Sequence, residues 1–183
     1  MLLDTPATAM GTPPPPFTLK DAQGRAFSSD DVMGKKGLLV AFICNHCPYV
    51  VDVMPRLAED VPVLEALGVG VICINANDYT AYPADAPDKM PGFAAQFGLT
   101  APYVVDEDQT VARAYGAVCT PDFFGYGVAN GLQYRGRLDN VGMRRDPAGR
   151  AAELVAAMAL VTETRTGPAD QTPSMGCSIK WKG

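Results

Sequence analysis

An apolar run, LLVAFI at positions 38–43, constrains the fold of this chain more than any other feature. A strand that is apolar on both faces must be covered on both sides, as the central strands of parallel sheets are. A second apolar run occupies residues 69–74. Apolar residues at helical spacing precede it at 49–57 and 63–67, and Pro55 predicts a kink or a break. Two buried strands joined by a helical crossover form a β-α-β unit, so the sequence predicts a sheet with parallel pairing.

Two hairpin signals flank the predicted β-α-β unit. Residues 17–27 alternate and turn like a small N-terminal β-hairpin. Asn130-Gly131, between apolar segments, is the dipeptide that most strongly predicts a tight hairpin turn. The remaining predicted elements are a helix at 92–97, a strand at 103–106, a helix at 109–115 and a final helix capped by Asp146-Pro147.

This order of elements predicts one domain over residues 1–183. The expected architecture is an α/β fold with a central mixed β-sheet flanked by helices and an N-terminal β-hairpin extension. The proline run at 13–16 favours an extended path, so residues 1–16 are expected to form an extended segment. Residues 167–183 show no periodic pattern and are expected to form an irregular tail.

The charge balance excludes some classes of partner. The chain has 15 Lys and Arg against 20 Asp and Glu and no basic block, so it lacks the charge pattern of proteins that bind nucleic acid or anionic lipid. Residues 1–11 carry Asp4 and lack the positive cluster and apolar run of a signal peptide, and no apolar run is long enough to span a membrane. We therefore expect a cytoplasmic protein whose partners are proteins or small thiols.

The cysteine content points to reactive thiols. The five cysteines are Cys44, Cys47, Cys73, Cys119 and Cys177. An odd and low number in a chain of this size argues against a structural disulfide framework. Redox or metal-binding use must be considered instead.

The CNHC motif at 44–47 lies where a buried strand is predicted to end and a helix to begin. The first backbone N–H groups of a helix lack partners and its dipole favours negative charge, so we expect a stabilised thiolate at Cys44. The spacing of the motif places Cys47 on the same face, close enough for a disulfide. His46, the only histidine of the chain, would lower the pKa of Cys44 further when protonated and make the pair more oxidising, unless it is an exposed bystander.

The segment FICNHCPYV at 42–50 resembles the active site of the thioredoxin superfamily. Further stretches narrow the resemblance to peroxiredoxin-like proteins of the alkyl hydroperoxide reductase and thiol-specific antioxidant family. They are PFTL at 16–19, Asn77-Asp78 with Tyr82-Pro83, TPDFF at 120–124 and GCSIKWK at 176–182. The resemblance extends over nearly the whole chain and implies a thioredoxin fold with a redox-active disulfide.

The resemblance also implies roles for individual residues. Cys44 would be the attacking thiol and Cys47 the resolving thiol. Pro121 would follow a cis peptide bond, which aims the backbone of Thr120 at the sulfurs, where it can pair with an extended substrate strand. Asn45 and His46 are expected to tune the pair or to position the substrate.

Three positions depart from the related patterns. Leu38 stands where thioredoxin has a buried acid, so the proton acceptor for Cys47 is not evident from the sequence. Ala41 and Gly37 stand where a peroxiredoxin needs a threonine that holds the peroxide oxygens and an earlier proline. These departures disfavour a peroxidase mechanism.

The remaining cysteines allow structural and redox roles. Cys73 lies within an apolar strand, where a thiol packs as a small hydrophobe. Cys119 is expected to point away from the side of Thr120 and to pack, with a role as an auxiliary thiol left open. Cys177 lies near Lys180, which can stabilise a thiolate, so both roles are open for it.

Polar residues after the second predicted strand form another candidate region. Asn75, Asn77 and Asp78 follow a parallel strand at its carboxyl end, where the sites of α/β proteins collect. The loop at 79–91 holds several prolines and acids and is either a rigid spacer or a lid that faces the substrate.

Three functions fit these features. In the first, a thiol-disulfide oxidoreductase, the Cys44–Cys47 pair exchanges disulfides with protein or small-molecule substrates. A separate reductant is required, because the chain has no nucleotide-binding glycine motif. In the second, a thiol peroxidase, peroxide oxidises Cys44 to sulfenic acid and Cys47 resolves it. The third is a non-enzymatic module that binds a metal or a partner, but no second Cys or His pair completes a zinc site, so we expect no metal and no organic cofactor.

Overall fold

The computed structural model describes residues 1–6, 8–143 and 148–183. Its strands are β1 (Leu2–Asp4), β2 (Thr18–Asp21), β3 (Ala26–Ser28), β4 (Gly37–Phe42), β5 (Val69–Asn75), β6 (Tyr103–Val105), β7 (Cys119–Thr120), β8 (Asp122–Gly127), β9 (Gly131–Tyr134) and β10 (Met175–Ser178). Its α-helices are α1 (Ser29–Val32), α2 (Pro48–Ala66), α3 (Met90–Phe97), α4 (Thr110–Tyr115) and α5 (Glu153–Thr164). The dipeptide expected to cap the last helix, Asp146-Pro147, lies outside the described residues. Among the described residues, no helix is both long enough and apolar enough to cross a bilayer.

A seven-stranded mixed sheet forms the centre, in the order β3-β2-β6-β5-β4-β8-β9. β5 is parallel to both β4 and β6. Antiparallel strands complete the sheet on either side, with the β2–β3 hairpin at one edge and the β8–β9 hairpin at the other. Gly131 allows the tight turn of the second hairpin, since its φ of +67° suits glycine. The predicted mixed sheet and N-terminal hairpin are confirmed.

β4 is buried along its whole length because helices cover both faces of the sheet. Leu39 and Ala41 point to an apolar cluster built with α2, α3 and α5. Leu38 and Val40 point to the opposite cluster, which includes α4. Burying a large aliphatic side chain contributes about 1.5–3 kcal/mol, so this strand anchors the residues that follow it.

The second helix continues through two prolines. A kink or a break was expected at Pro55, but α2 runs without interruption and contains both Pro55 and Pro62. A proline inside a helix costs about 3 kcal/mol. Burial of Met54 and Leu57 in the core offsets that loss. The prediction of two helical stretches was therefore wrong because tertiary packing outweighs the local preference.

Residues 167–183 are irregular, as expected, except for the strand β10, which was not predicted. β10 lies between β1 and β7 in a second, three-stranded antiparallel sheet. Residues 1–16, expected to be a simple extended segment, contribute the edge strand β1. Neither short strand has a local sequence signal, because its hydrogen-bond partners lie in distant parts of the chain.

Gly176 allows β10 to approach β7 closely. A Cβ atom at this position would lie 2.0 Å from the carbonyl oxygen of Thr120. We predict that Gly176→Ala lowers the free energy of unfolding by about 1–3 kcal/mol, as overpacking against backbone does. Urea denaturation measures the change. The matched control is Gly92→Ala in α3, where the added Cβ has no atom within 4 Å. The free energy of unfolding of this variant should be unchanged or higher, because alanine favours a helix over glycine. Equal stability of the two variants would contradict the prediction.

Candidate active site

The CNHC motif connects the end of β4 to the start of α2. The N–H of Ile43 still bonds to the carbonyl of Ile74, and the chain then turns. α2 begins at Pro48, whose fixed φ and missing N–H suit the first helical position. Cys47 therefore occupies the N-cap and Cys44 precedes the helix. The helix that was expected to follow Cys44 directly thus begins after Cys47.

Both sulfurs contact Thr120, the residue before the cis proline. The Thr120-Pro121 peptide bond is cis, as the resemblance implied. Thr120 Oγ1 lies 3.2 Å from Cys44 Sγ, and the carbonyl oxygen of Thr120 accepts a hydrogen bond from Cys47 Sγ at 3.2 Å. The two cysteines are buried, with exposed fractions of 1% and 0%. A single residue of β7 thus holds both sulfurs at the carboxyl end of β4.

The two neighbouring thiols interact, and each changes the acidity of the other. The interaction with Cys47, burial and the Asp85 carboxylate raise the pKa of Cys44 above its usual range. The interaction with Cys44 lowers the pKa of Cys47. After one proton is lost, two close sulfurs share the other, so the pair titrates as a unit. The interaction with Cys47, burial and the Asp85 carboxylate therefore oppose the lowering of the Cys44 pKa that the sequence led us to expect.

Asp85 supplies a fully buried carboxylate to the motif. Its Oδ1 accepts hydrogen bonds from the backbone N–H groups of Asn45 at 2.7 Å and His46 at 3.2 Å. Its Oδ2 lies 2.6 Å from the ring Nδ1 of His46. An ionised carboxylate can only accept, so Nδ1 of His46 carries the proton of this bond. The site therefore has a buried acid, and it lies beside Cys44.

This acid comes from the loop at 79–91, in the 3₁₀ turn Pro83–Asp85. Asn75 Nδ2 donates to the backbone carbonyl of Asp85 at 2.9 Å, and Asn77 Nδ2 donates to its carboxylate at 2.8 Å. The end of β5 thereby holds the loop against the CNHC motif. Sequence reasoning named the loop and both asparagines as candidates but missed Asp85, for which several acids in this loop were the only signal.

His46 and Asn45 each contact an aromatic residue in addition to Asp85. The His46 ring stacks on Tyr82, with ring centroids 5.5 Å apart and an angle of 8° between the planes. Lys180 Nζ lies 5.8 Å from the centre of the Tyr82 ring. The hydroxyl of Tyr103 donates to Asn45 Oδ1 at 3.0 Å. Both residues between the cysteines are thus held in place, as residues that position a substrate or tune a thiol must be.

Three potential metal ligands meet beside the motif. The Cys44 sulfur, a ring nitrogen of His46 and a carboxylate oxygen of Asp85 lie within 4.8 Å of one another. These are ligand types that Zn²⁺ accepts, but a closed structural zinc site uses four. The carboxylate is already bonded to the imidazole and to backbone amides. The arrangement fits a hydrogen-bonded proton relay better than a metal site.

The other cysteines occupy different surroundings. Cys73 is buried in β5, and burial raises its pKa to about 12. Cys119 is buried, and its thiol lies 3.7 Å from the carbonyl oxygen of Pro121. Cys177 is half-buried on β10, lies opposite Thr120 and packs against the apolar cluster that contains Cys44 and Cys47. The structure therefore brings Cys177 to the pair, which the sequence did not indicate.

Comparison with known proteins assigns a family to this arrangement. The AhpC/TSA family pattern matches residues 10–138, more than half of the chain. The chain belongs to the AhpC/TSA family. The thiol-disulfide oxidoreductase ResA of Geobacillus thermodenitrificans is 33% identical to it over 118 residues, which are 64% of this chain and 63% of ResA. The match thus spans less than two thirds of the length of that relative.

Solved structures share the fold of this AhpC/TSA protein. A conserved protein of Geobacillus kaustophilus superposes with a TM-score of 0.92 and 36% identity, over 100% of this chain and 97% of that chain. A secreted disulfide oxidoreductase of Mycobacterium tuberculosis superposes with a TM-score of 0.55 and 19% identity, over 64% of this chain and 80% of that chain. The thioredoxin fold that the resemblance implied is confirmed.

The structure accounts for the departures of this AhpC/TSA protein from related patterns. Ala41 packs in the core and has no hydroxyl. At Gly37 a Cβ would lie 2.5 Å from the carbonyl oxygen of Tyr126. Leu38 is buried on the apolar side that faces α4. The buried carboxylate of this site, Asp85, comes from another element and lies beside Cys44, not beside Cys47.

We predict that Asp85→Asn lowers the pKa of Cys44, because it removes the negative charge that disfavours the thiolate. The pH dependence of Cys44 alkylation, measured in a Cys47→Ser background, tests this. Asp88→Asn, which changes an exposed acid of the same loop, is the control. Asp85→Asn should also lower the free energy of unfolding by about 1–3 kcal/mol, because an amide leaves buried donors unpaired. An unchanged Cys44 pKa would show that the carboxylate does not act on this thiol.

Proposed function

We propose that this protein is a thiol-disulfide oxidoreductase that works through the Cys44–Cys47 pair. The observation that carries the proposal is the contact of both sulfurs with Thr120, next to the cis proline. Two thiols that lie three residues apart and both contact Thr120 are placed for one S–S bond to form between them. The similarity to ResA, which is named a thiol-disulfide oxidoreductase, supports the same activity.

The proposed reaction consists of two exchanges. The Cys44 thiolate attacks one sulfur of a substrate disulfide, a mixed disulfide forms, and the other substrate sulfur leaves as a thiolate. The Cys47 thiolate then attacks Cys44 Sγ and releases the second substrate thiolate. This leaves Cys44–Cys47 oxidised, and a separate dithiol reductant returns the two electrons.

Cys44 is the attacking thiol in this proposal because it lies beside the accessible edge of the site. A ring nitrogen of His46 is within 4.8 Å of its sulfur, and the His46 side chain is 29% exposed. When the shared proton is on Cys47, its S–H donates to the carbonyl of Thr120. The Thr120 hydroxyl then donates to the Cys44 thiolate. The His46–Asp85 pair can pass protons to and from Cys44.

The substrates in this proposal are protein or small-molecule disulfides. The cysteine pair itself is the redox group, and no further cofactor takes part. A peroxidase reaction has less support, because Ala41 offers no hydroxyl to hold the peroxide oxygens. The cytoplasmic location stays a prediction.

Insulin-disulfide reduction and peroxide consumption, measured side by side with dithiothreitol as the electron donor, test the proposed function. We expect the native protein to reduce insulin and to consume peroxide no faster than a free thiol. Cys44→Ser should lose insulin reduction, and Cys47→Ser should accumulate a mixed disulfide with the substrate. Cys73→Ala, which changes a buried cysteine of β5, should keep the activity. Insulin reduction by Cys44→Ser, or none by the native protein, would overturn the proposal.

We predict a reduction potential higher than that of thioredoxin, which is about −270 mV, because His46, when protonated, stabilises a thiolate of the pair. His46→Ala leaves the Asp85 charge unbalanced near Cys44 and should lower the potential. Equilibration with glutathione redox buffers measures it. Tyr82→Phe keeps the stacked ring and should leave the potential unchanged. A potential that does not fall in His46→Ala would rule out tuning by this histidine.

A further inference from the structure

The C-terminal strand occupies the edge at which a substrate strand was expected. The sequence predicted that the backbone of Thr120 pairs with an extended substrate. In the structure β10 lies along β7 instead, with Cys177 opposite Thr120. The approach is close, since a Cβ on Gly176 would lie 2.0 Å from the carbonyl oxygen of Thr120. The chain therefore presents its own cysteine where the cysteine of a substrate would lie.

Hydrogen bonds fix the segment that follows β10. The N–H of Lys180 donates to Asn77 Oδ1 at 2.8 Å. The carbonyl of Lys180 accepts hydrogen bonds from the N–H of Asp78 and from Gln109 Nε2, each at 2.8 Å. The strand that carries Cys177 is thus tied to the same end of β5 that holds the loop at 79–91.

Three thiols meet around Thr120. Cys47 Sγ donates to the carbonyl of Thr120 at 3.2 Å, and Cys177 lies opposite Thr120 on the neighbouring strand. Cys177 packs against the apolar cluster that contains Cys44 and Cys47. Cys47 therefore has two candidate disulfide partners, Cys44 and Cys177.

Cys177 is the most accessible of the three thiols. Cys44 and Cys47 are almost fully buried, whereas Cys177 is half-buried. Burial and the interaction with Cys47 raise the pKa of Cys177, and the positive charges of Lys180 and the amino group of Met1 lower it. The pKa of Cys177 stays above its usual value, so these two cations offset only part of the cost of a thiolate at this half-buried position.

We propose that Cys177 is a third redox thiol, which exchanges with Cys47 so that the disulfide alternates between Cys44–Cys47 and Cys47–Cys177. The Cys177 thiolate attacks Cys47 Sγ in the oxidised pair. The Cys47–Cys177 bond forms, the Cys44–Cys47 bond breaks, and Cys44 leaves as a thiolate that takes up the proton given up by Cys177. No net electrons are transferred, so the step needs no oxidant.

This proposal rests on the proposed disulfide exchange and extends it. The exchange moves an oxidised sulfur from the buried pair to the half-buried position of Cys177. An external reductant can attack there without entering the core. The same exchange frees Cys44 while the protein remains oxidised.

The Cys44→Ser variant tests the proposal because it leaves Cys47 with Cys177 as its adjacent thiol. The variant is oxidised with one equivalent of diamide, quenched in acid, alkylated and digested for mass spectrometry. We expect loss of alkylation at Cys47 and Cys177 and a peptide pair linked through them in the monomer. Cys73 and Cys119 should be alkylated as before. In the matched control, Cys44→Ser with Cys177→Ser, Cys47 should remain alkylated.

Several outcomes would overturn the proposal. The first is that Cys47 of folded Cys44→Ser is still fully alkylated after diamide treatment. The others are a disulfide from Cys47 to Cys119 and a disulfide between two chains. If Cys44→Ser does not fold, the same experiment is carried out on the native protein. After one equivalent of diamide we expect both the Cys44–Cys47 and the Cys47–Cys177 disulfide, and finding only Cys44–Cys47 would overturn the proposal. Insulin reduction by the native protein is measured independently, so its loss would count against the proposed function and not against the Cys47–Cys177 link.

Discussion

The burial of one carboxylate, Asp85, organises the centre of this protein. A buried charge is tolerated only when hydrogen bonds satisfy it, and each unpaired group costs about 1–3 kcal/mol. Asp85 finds its donors in Asn45 and His46 of the CNHC turn and in Asn77 after β5. The loop, the turn and the sheet must therefore come together for any of them to be stable. The location of Cys44 beside a histidine-carboxylate pair follows from that requirement.

Charge is distributed unevenly across the three sulfurs. The Asp85 carboxylate disfavours negative charge on Cys44, whereas Lys180 and the amino group of Met1 favour it on Cys177. Both of these thiols lower the pKa of Cys47, Cys44 more than Cys177. A negative charge on this set of thiols is therefore more stable away from Asp85. Deprotonation of Cys44 depends on the contacts that oppose the carboxylate, namely the Thr120 hydroxyl and the His46 ring.

The features that the sequence predicted are those with local signals. A few adjacent residues are enough to recognise the apolar run of β4, the Asn130-Gly131 turn and the CNHC motif. The cis peptide bond before Pro121 was expected from the family resemblance. Asp85 and β10 were not predictable in the same way, because their partners lie in other parts of the chain and pairing is set by the assembled fold. Packing likewise overrode the helix-breaking preference of Pro55.

The contacts that build the centre join distant residues. Thr120 lies 76 residues from Cys44 and 73 from Cys47 along the chain, and β1 pairs with β10. Such non-local contacts give a high contact order, which slows folding. Cys44 and Cys47, in contrast, lie within one short turn. Their disulfide can close before the surrounding sheet has formed, whereas the contacts of both sulfurs with Thr120 require the assembled fold.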